Sequence, residues 1–219
     1  MITGKFVREK ENRFLCLVDI SNKQEECYVS SSSKLKNYIN LNKKTVLLVP
    51  NKGKRLRTKY TLQAAKVNNV WMLLNLNYVN DLMQEFLLKK YGKDTLYREH
   101  YIKDYKTDFY VSKKKLIIEA KGILANKNEA VYPLVSCGRT QRQLKEILGL
   151  LKQGYKVEYC FIIMNPHIRD IRLNDKEKAA KLIFKKCIAA GMKIKYFKTK
   201  FYNGKCSLKE LKNEDISIT

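Results

Sequence analysis

Histidine is nearly missing from this 219-residue chain, in which only His100 and His167 occur. With so few imidazoles to take a nucleophile's proton, Ser-His and Cys-His catalysis is not expected. The six cysteines, at 16, 27, 137, 160, 187 and 206, form no Cys-x-x-Cys pair. With so little histidine beside them they do not compose a zinc site, and they read as buried thiols rather than a disulfide framework. Long apolar runs are missing too. The best, Val70 to Leu76 and Tyr159 to Met164, fall far short of the ~20 residues a bilayer requires. Met1-Ile2-Thr3-Gly4-Lys5 brings a charge early with no apolar stretch behind it. No membrane span or secretion signal is expected, and the chain reads as cytoplasmic.

Acidic residues are also in short supply: 21 Asp and Glu face 45 Lys and Arg, a net charge of +24. A surface this basic invites a polyanion, nucleic acid before an anionic membrane, since no basic amphipathic helix flanks the ends. Only nine of the cations are Arg, so part of the excess is a lysine-rich composition spread over a solvated surface. Hydrophobic residues make up 45%, enough for one large or two small domains with real cores.

Thr107 to Gly122 is where chemistry concentrates. Phe109 to Val111 and Leu116 to Ala120 are short apolar strands joined by Ser112-Lys113-Lys114, the pattern of a hairpin. Side chains alternate along a strand, so Ile117, Glu119 and Lys121 share a face. In the natural register Asp108 lies opposite the end of the second strand, beside Glu119 and Lys121. Two carboxylates so placed repel unless a cation joins them, and hard oxygen donors suit Mg²⁺ or Mn²⁺. This is the Asp…Glu-x-Lys pattern of PD-(D/E)XK nucleases. In a chain this rich in Lys, cross-strand surface partners would satisfy the same spacing.

The surrounding chain divides in two. Over residues 1–67, Gly4 to Glu9, Arg13 to Ile20, Glu25 to Val29, Thr45 to Pro50 and Tyr60 to Val67 are short stretches rich in β-formers, which predicts a small OB-like barrel. Between the last two, Lys52, Lys54, Arg55, Arg57 and Lys59 form a basic loop suited to phosphates. Over 68–219 the pattern predicts an α/β domain with a mixed sheet flanked by helices, so that the fold class is α+β with two domains. Val79, Leu82, Met83, Phe86, Leu87 and Tyr91 mark a helix from Asn77, ended by Gly92, which carries Glu85 near its apolar stripe. A strand holding Glu99 precedes the hairpin. Thr140 to Gln153 reads as a helix with Leu144, Ile147, Leu148 and Leu151 buried, and Gln141, three residues before Leu144, is expected to look back at Glu119 and Lys121. Val157 to Met164 reads as a buried strand, Asp175 to Ala190 as a helix capped by Asp175, and Lys193 to Lys198 as a final strand.

In order and spacing, Asn80-Asp81-Leu82-Met83-Gln84-Glu85, Glu99, Thr107-Asp108-Phe109, Ile118-Glu119-Ala120-Lys121, Tyr132-Pro133 and Arg139-Thr140-Gln141-Arg142-Gln143-Leu144 resemble the sugar fermentation stimulation protein A family. Gly154 to Val157, Phe161 to Met164, Asp175 and Ala190 to Lys193 extend the resemblance over nearly the whole chain. It implies an OB-like barrel, a nuclease-like domain, sequence-independent binding of double-stranded DNA, and a regulatory link to sugar use in bacteria. It places Asp108, Glu119 and Lys121 on the nuclease motif, Glu85 on a helix carboxylate that would join Asp108 and Glu119 around the metal, and Gln141 on a glutamine after the motif. Glu99 falls on a further acidic position. Two segments depart from the family pattern. Val29-Ser30-Ser31-Ser32-Ser33 stands where a Val-Pro-Asn-Thr-Gly-like segment is usual, and Tyr132-Pro133-Leu134 puts Leu134 in place of an Asp.

The expected function is therefore DNA binding, with Arg139 and Arg142 joining the basic loop on the phosphates. The alternative is a Mg²⁺-dependent phosphodiesterase in which Lys121 orients water and Gln141 positions water or substrate. A basic protein holding another anion such as RNA is the remaining possibility. A homodimer is compatible with all three.

Overall fold

A computed structural model describes residues 2–52, 57–125, 128–134, 138–212 and 215–218. Lys54 and Arg55 of the basic loop lie outside them. The first six strands are β1 (Ile2–Glu9), β2 (Leu15–Ile20), β3 (Lys23–Tyr28), β4 (Thr45–Pro50), β5 (Tyr60–Val67) and β6 (Val70–Leu73). They form one sheet in the order β3-β2-β1-β4-β5-β6. β3 also pairs parallel with β5, through Cys27–Tyr60 and Tyr28–Thr61, and closes the barrel. Closure leaves few open edges and lets the inward residues, among them Phe6, Val18, Cys27, Val46, Leu48 and Leu62, fill one core. The barrel continues past Val67, where the sequence pattern placed its end. Asn68 and Asn69 both adopt left-handed backbone, with φ of 48° and 61°. That two-residue turn matches strand twist and folds β6 back onto β5.

Helix α1 (Asn77–Tyr91) follows, ended by Gly92 at φ 77° as the sequence pattern predicts. Its start is held from the barrel: Ser30 accepts the Leu76 N–H on its carbonyl and the Asn77 N–H on its hydroxyl, both at 3.1 Å. The first helical donors, which have no partner within a helix, are thereby satisfied across the domain junction. Gly122 lies at the same junction. A Cβ there would sit 2.7 Å from Leu76 Cδ2 and 2.9 Å from Met164 Sδ, so glycine permits the close approach.

After α1 come β7 (Leu96–Arg98), the small hairpin β8 (Tyr101–Ile102) and β9 (Tyr105–Lys106), and β10 (Phe109–Val111). Then follow β11 (Leu116–Ile123), β12 (Glu129–Tyr132), α2 (Gly138–Lys152), β13 (Lys156–Ile163) and β14 (Asp170–Leu173). The chain finishes with α3 (Lys178–Ala189), β15 (Lys193–Tyr202), β16 (Lys205–Glu210) and β17 (Ser217–Ile218). The main sheet runs β16-β15-β13-β11-β10-β7, with β11, β13 and β15 parallel and the other pairs antiparallel. β12, β14 and β17 make a separate three-stranded sheet.

Period-two alternation divides the main sheet between two cores. Ile118 and Ala120 of β11 pack with Val79, Leu82, Met83 and Leu87 of α1. Ile117 packs on the other face with Leu144 and Ile147 of α2 and Phe184 of α3. Glu119 and Lys121 therefore point to the α2 side. The described cysteines, 16, 27, 160, 187 and 206, are buried free thiols. Asp175 stands before α3 rather than capping it, and bonds Lys181 at 2.8 Å. Among the described residues, no helix is long and apolar enough to cross a membrane.

Candidate metal and phosphate site

The β10–β11 hairpin pairs Phe109 with Ile118, which sets Asp108 beside Glu119 as the natural register requires. Asp108 accepts the Ala120 N–H on Oδ2 at 2.9 Å, and its own N–H points at Glu119 Oε1 from 3.3 Å. Lys121 Nζ lies 2.9 Å from Glu119 Oε2 and 3.4 Å from Asp108 Oδ2, joining the two carboxylates. Its ammonium also rests 5.6 Å from the centre of the Tyr159 ring.

Glu119 is fully buried, with 0% exposure. Tyr105 donates to its Oε1 at 2.6 Å and Gln143 to its Oε2 at 2.6 Å. Both oxygens are thus held before any ligand arrives. Asp108 keeps a quarter of its side chain exposed, and among the described residues its Oδ1 meets only the Asn80 amide, at 3.4 Å. Burial pushes the Glu119 carboxyl above its ordinary range; the Lys121 charge opposes that shift and the Asp108 charge adds to it. Burial acts on Asp108 in the same sense, but the Lys121 ammonium and the Ala120 N–H outweigh it and hold Asp108 low. Lys121 is the mirror case: burial disfavours its charge, and Glu119 followed by Asp108 overcomes this and raises its pKa.

Asp108 and Lys121 floor a cleft of about 760 Å³ between the domains, with Glu119 buried behind them. Arg13, Ser31, Ser32 and Tyr38 line its barrel side, while Asn80, Glu99, Leu134, Arg139 and Gln143 line the other. Thr107, in the same lining, is 1% exposed and its hydroxyl has no hydrogen-bond partner. Carboxylates and a hydroxyl are hard oxygen donors. They suit Mg²⁺ or Mn²⁺, whose remaining positions are commonly filled by water or phosphate oxygen. Among the described residues no three His, Cys, Asp or Glu side chains converge to cage a metal.

Several expected site residues fall elsewhere. Glu85 is exposed, and its charge acts on Tyr78 and Cys206. The helix residue at the site is Asn80, and five residues along a helix turn Glu85 about 140° away from it. Gln141 does not reach Glu119; Gln143 does. The buried stripe of α2 is Leu144, Ile147 and Leu150. Gln143 lies within about 40° of Ile147 around the helix, and Gln141 about 120° from it. Glu99, in left-handed backbone at φ 52°, is at the cleft mouth and pairs with Lys106. Arg139 lines the cleft, whereas Arg142 is an exposed residue of α2 outside that lining. In the basic loop Lys52 is exposed, but Arg57 and Lys59 face Glu26 and Glu25 at 3.3 and 3.7 Å and are partly neutralised. Tyr105 and Arg13 were not singled out by sequence, and Asn80, Thr107 and Gln143 stood in the segments that carry the resemblance without a site role. Gln143 had a further cue, standing four residues before Ile147.

An OB-like barrel joined to a mixed α/β domain, with a carboxylate–lysine cluster on the cleft floor, defines a two-domain architecture. Residues 9–74 match the family described as the SfsA N-terminal OB domain, and 77–205 match the sugar fermentation stimulation protein RE domain. The chain belongs to the sugar fermentation stimulation protein family. A homologue from Clostridium beijerinckii is 30% identical over 169 residues, covering 74% of each chain. One from Saccharolobus solfataricus is 27% identical over 199 residues, 89% of this chain and 77% of that one. The structure of Pyrococcus furiosus SfsA in complex with Ca²⁺ superposes with a TM-score of 0.79 at 19% identity, covering 100% of this chain and 95% of that one.

Proposed function

We propose that this protein binds double-stranded DNA without regard to sequence, and that Asp108 and Glu119 hold Mg²⁺ or Mn²⁺ where a phosphate backbone crosses the cleft. The observation that carries this reading is the Asp108–Glu119–Lys121 cluster, whose Asp108 and Lys121 floor an open cleft walled by Arg13 and Arg139. The net charge of +24 supplies the long-range attraction. Cations that meet phosphate rather than base edges give affinity without sequence information. The Pyrococcus furiosus relative was solved with Ca²⁺, another hard, oxygen-seeking cation, which supports the metal assignment.

A second reading, phosphodiester hydrolysis, is favoured by the contact of Lys121 with both carboxylates. A divalent ion bound at such a site polarises a phosphodiester and makes water a better nucleophile. The chain's own part is positional. Tyr105 and Gln143 fix Glu119, the Ala120 N–H fixes Asp108, and Lys121 places a positive charge where a phosphate oxygen or attacking water would stand.

Supercoiled, linear and branched DNA incubated with the protein in Mg²⁺, Mn²⁺ or EDTA, beside Glu119→Ala, separates the two. Retarded complexes on every DNA, with or without metal and without cutting, are the expected result. Metal-dependent cleavage lost in Glu119→Ala establishes the enzyme instead. Absence of any complex at low salt overturns both.

A further inference from the structure

Phe14 is 38% exposed just before β2, an unusual place for a large aromatic ring. Its carbonyl accepts the Val29 N–H at 2.8 Å, which brings it beside the end of β3. There its ring lies 6.3 Å from that of Tyr28, within 11° of parallel. Near-parallel rings at that separation are not in full face-to-face contact, and together they make an aromatic shelf. Cys16, Cys27 and Val29 belong to the barrel core, whereas Tyr28, half-buried, stands on the other face opposite Leu15, and Phe14 beside it is exposed. The Arg13 guanidinium lies 4.4 Å over the Phe14 ring and also donates to the Ser32 carbonyl. Arg13 and Ser32 line the inter-domain cleft. Shelf and cleft therefore meet at one arginine. Arg57 stands near the shelf as well, because it reaches Glu26, two residues before Tyr28. Glu26, two residues from Tyr28, is matched by Lys10 at 2.5 Å and by Arg57 at 3.3 Å.

Flat rings flanked by cations are how proteins hold unpaired nucleotides: each base offers a π-face, and the cations follow the backbone. A blunt duplex, with its bases stacked inside, has nothing to give such a shelf. We propose that Phe14 and Tyr28 stack unpaired bases of a strand whose duplex portion lies in the cleft, so that the preferred ligand is DNA with a single-strand–double-strand boundary. This rests on the DNA-binding reading above and names its substrate class.

The test compares fluorescence anisotropy on a blunt duplex with that on the same duplex carrying an oligothymidine tail, for wild type, Phe14→Leu, Tyr28→Leu and Phe14→Trp. Phe14→Leu keeps an apolar side chain and loses the ring. The tail is expected to tighten wild-type binding, and either Leu variant to lose about fivefold to a hundredfold on the tailed DNA. Both should bind blunt duplex as wild type does, and Phe14→Trp should retain the gain. A tail that adds nothing in wild type, or Leu variants that weaken blunt and tailed DNA equally, overturns the shelf and leaves duplex binding standing. Failure of wild type to bind either DNA overturns both readings.

Discussion

Lys121→Met is expected to lower folding stability by about 3–5 kcal/mol, the usual effect of removing one partner of a buried ion pair. Glu119 has no exposure, and among the described residues Lys121 supplies the only positive charge of its hydrogen-bond partners. Without Lys121, a carboxylate remains out of water with Asp108 as its nearest charge. The double variant Glu119→Gln/Lys121→Met removes both charges and leaves an amide for Tyr105 and Gln143 to bond. It should recover most of the loss, as buried pairs replaced together often do. Urea unfolding of wild type, Lys121→Met, Glu119→Gln and the double variant measures this as a double-mutant cycle. Equal stability of the single and double variants would show that the Lys121–Glu119 contact carries no such energy.

Affinity for duplex DNA should fall as a straight line in log–log against salt. A protein contacting about 6–10 phosphates loses about 10³–10⁵ in affinity between about 50 and 200 mM salt, because each neutralised phosphate releases counterions. Arg13, Arg139 and the exposed Lys52 are the side chains assigned to that contact. Arg139→Ala should shift the line down and reduce its slope by about one phosphate's worth, by the same amount on unrelated sequences. Fluorescence anisotropy over a salt series checks this. A flat line, or a slope that differs between sequences, would mean that base contacts or apolar burial carry the affinity.

Much of this architecture was legible because strand alternation and helix period are local properties. The Asp108–Glu119–Lys121 convergence followed from hairpin register alone, and α1 and its Gly92 stop followed from the spacing of Val79, Leu82, Met83 and Leu87. What escaped depended on angles or on distant partners. Choosing Gln141 over Gln143 turned on where the buried stripe of α2 is centred, which only packing against Tyr159 and Phe184 decides. Glu85 had the right chemistry on the wrong side of α1. Tyr105 reaches Glu119 because a two-strand hairpin folds over the sheet, and strands of two residues leave no periodicity to read. Ser30 belonged to a serine run with no evident purpose. Its role in starting α1 exists only once barrel and second domain meet.

The central claim is that DNA phosphates lie in the cleft above Asp108, Glu119 and Lys121. Amide hydrogen exchange with and without a saturating blunt duplex tests it most directly. Protection should appear together on both walls, at Arg13 and Ser31–Ser32 of the barrel and at Arg139–Gln143 of α2, and on the Asp108 and Ala120 amides of the floor. A duplex that binds tightly and protects other surfaces while leaving those amides unchanged would contradict the account.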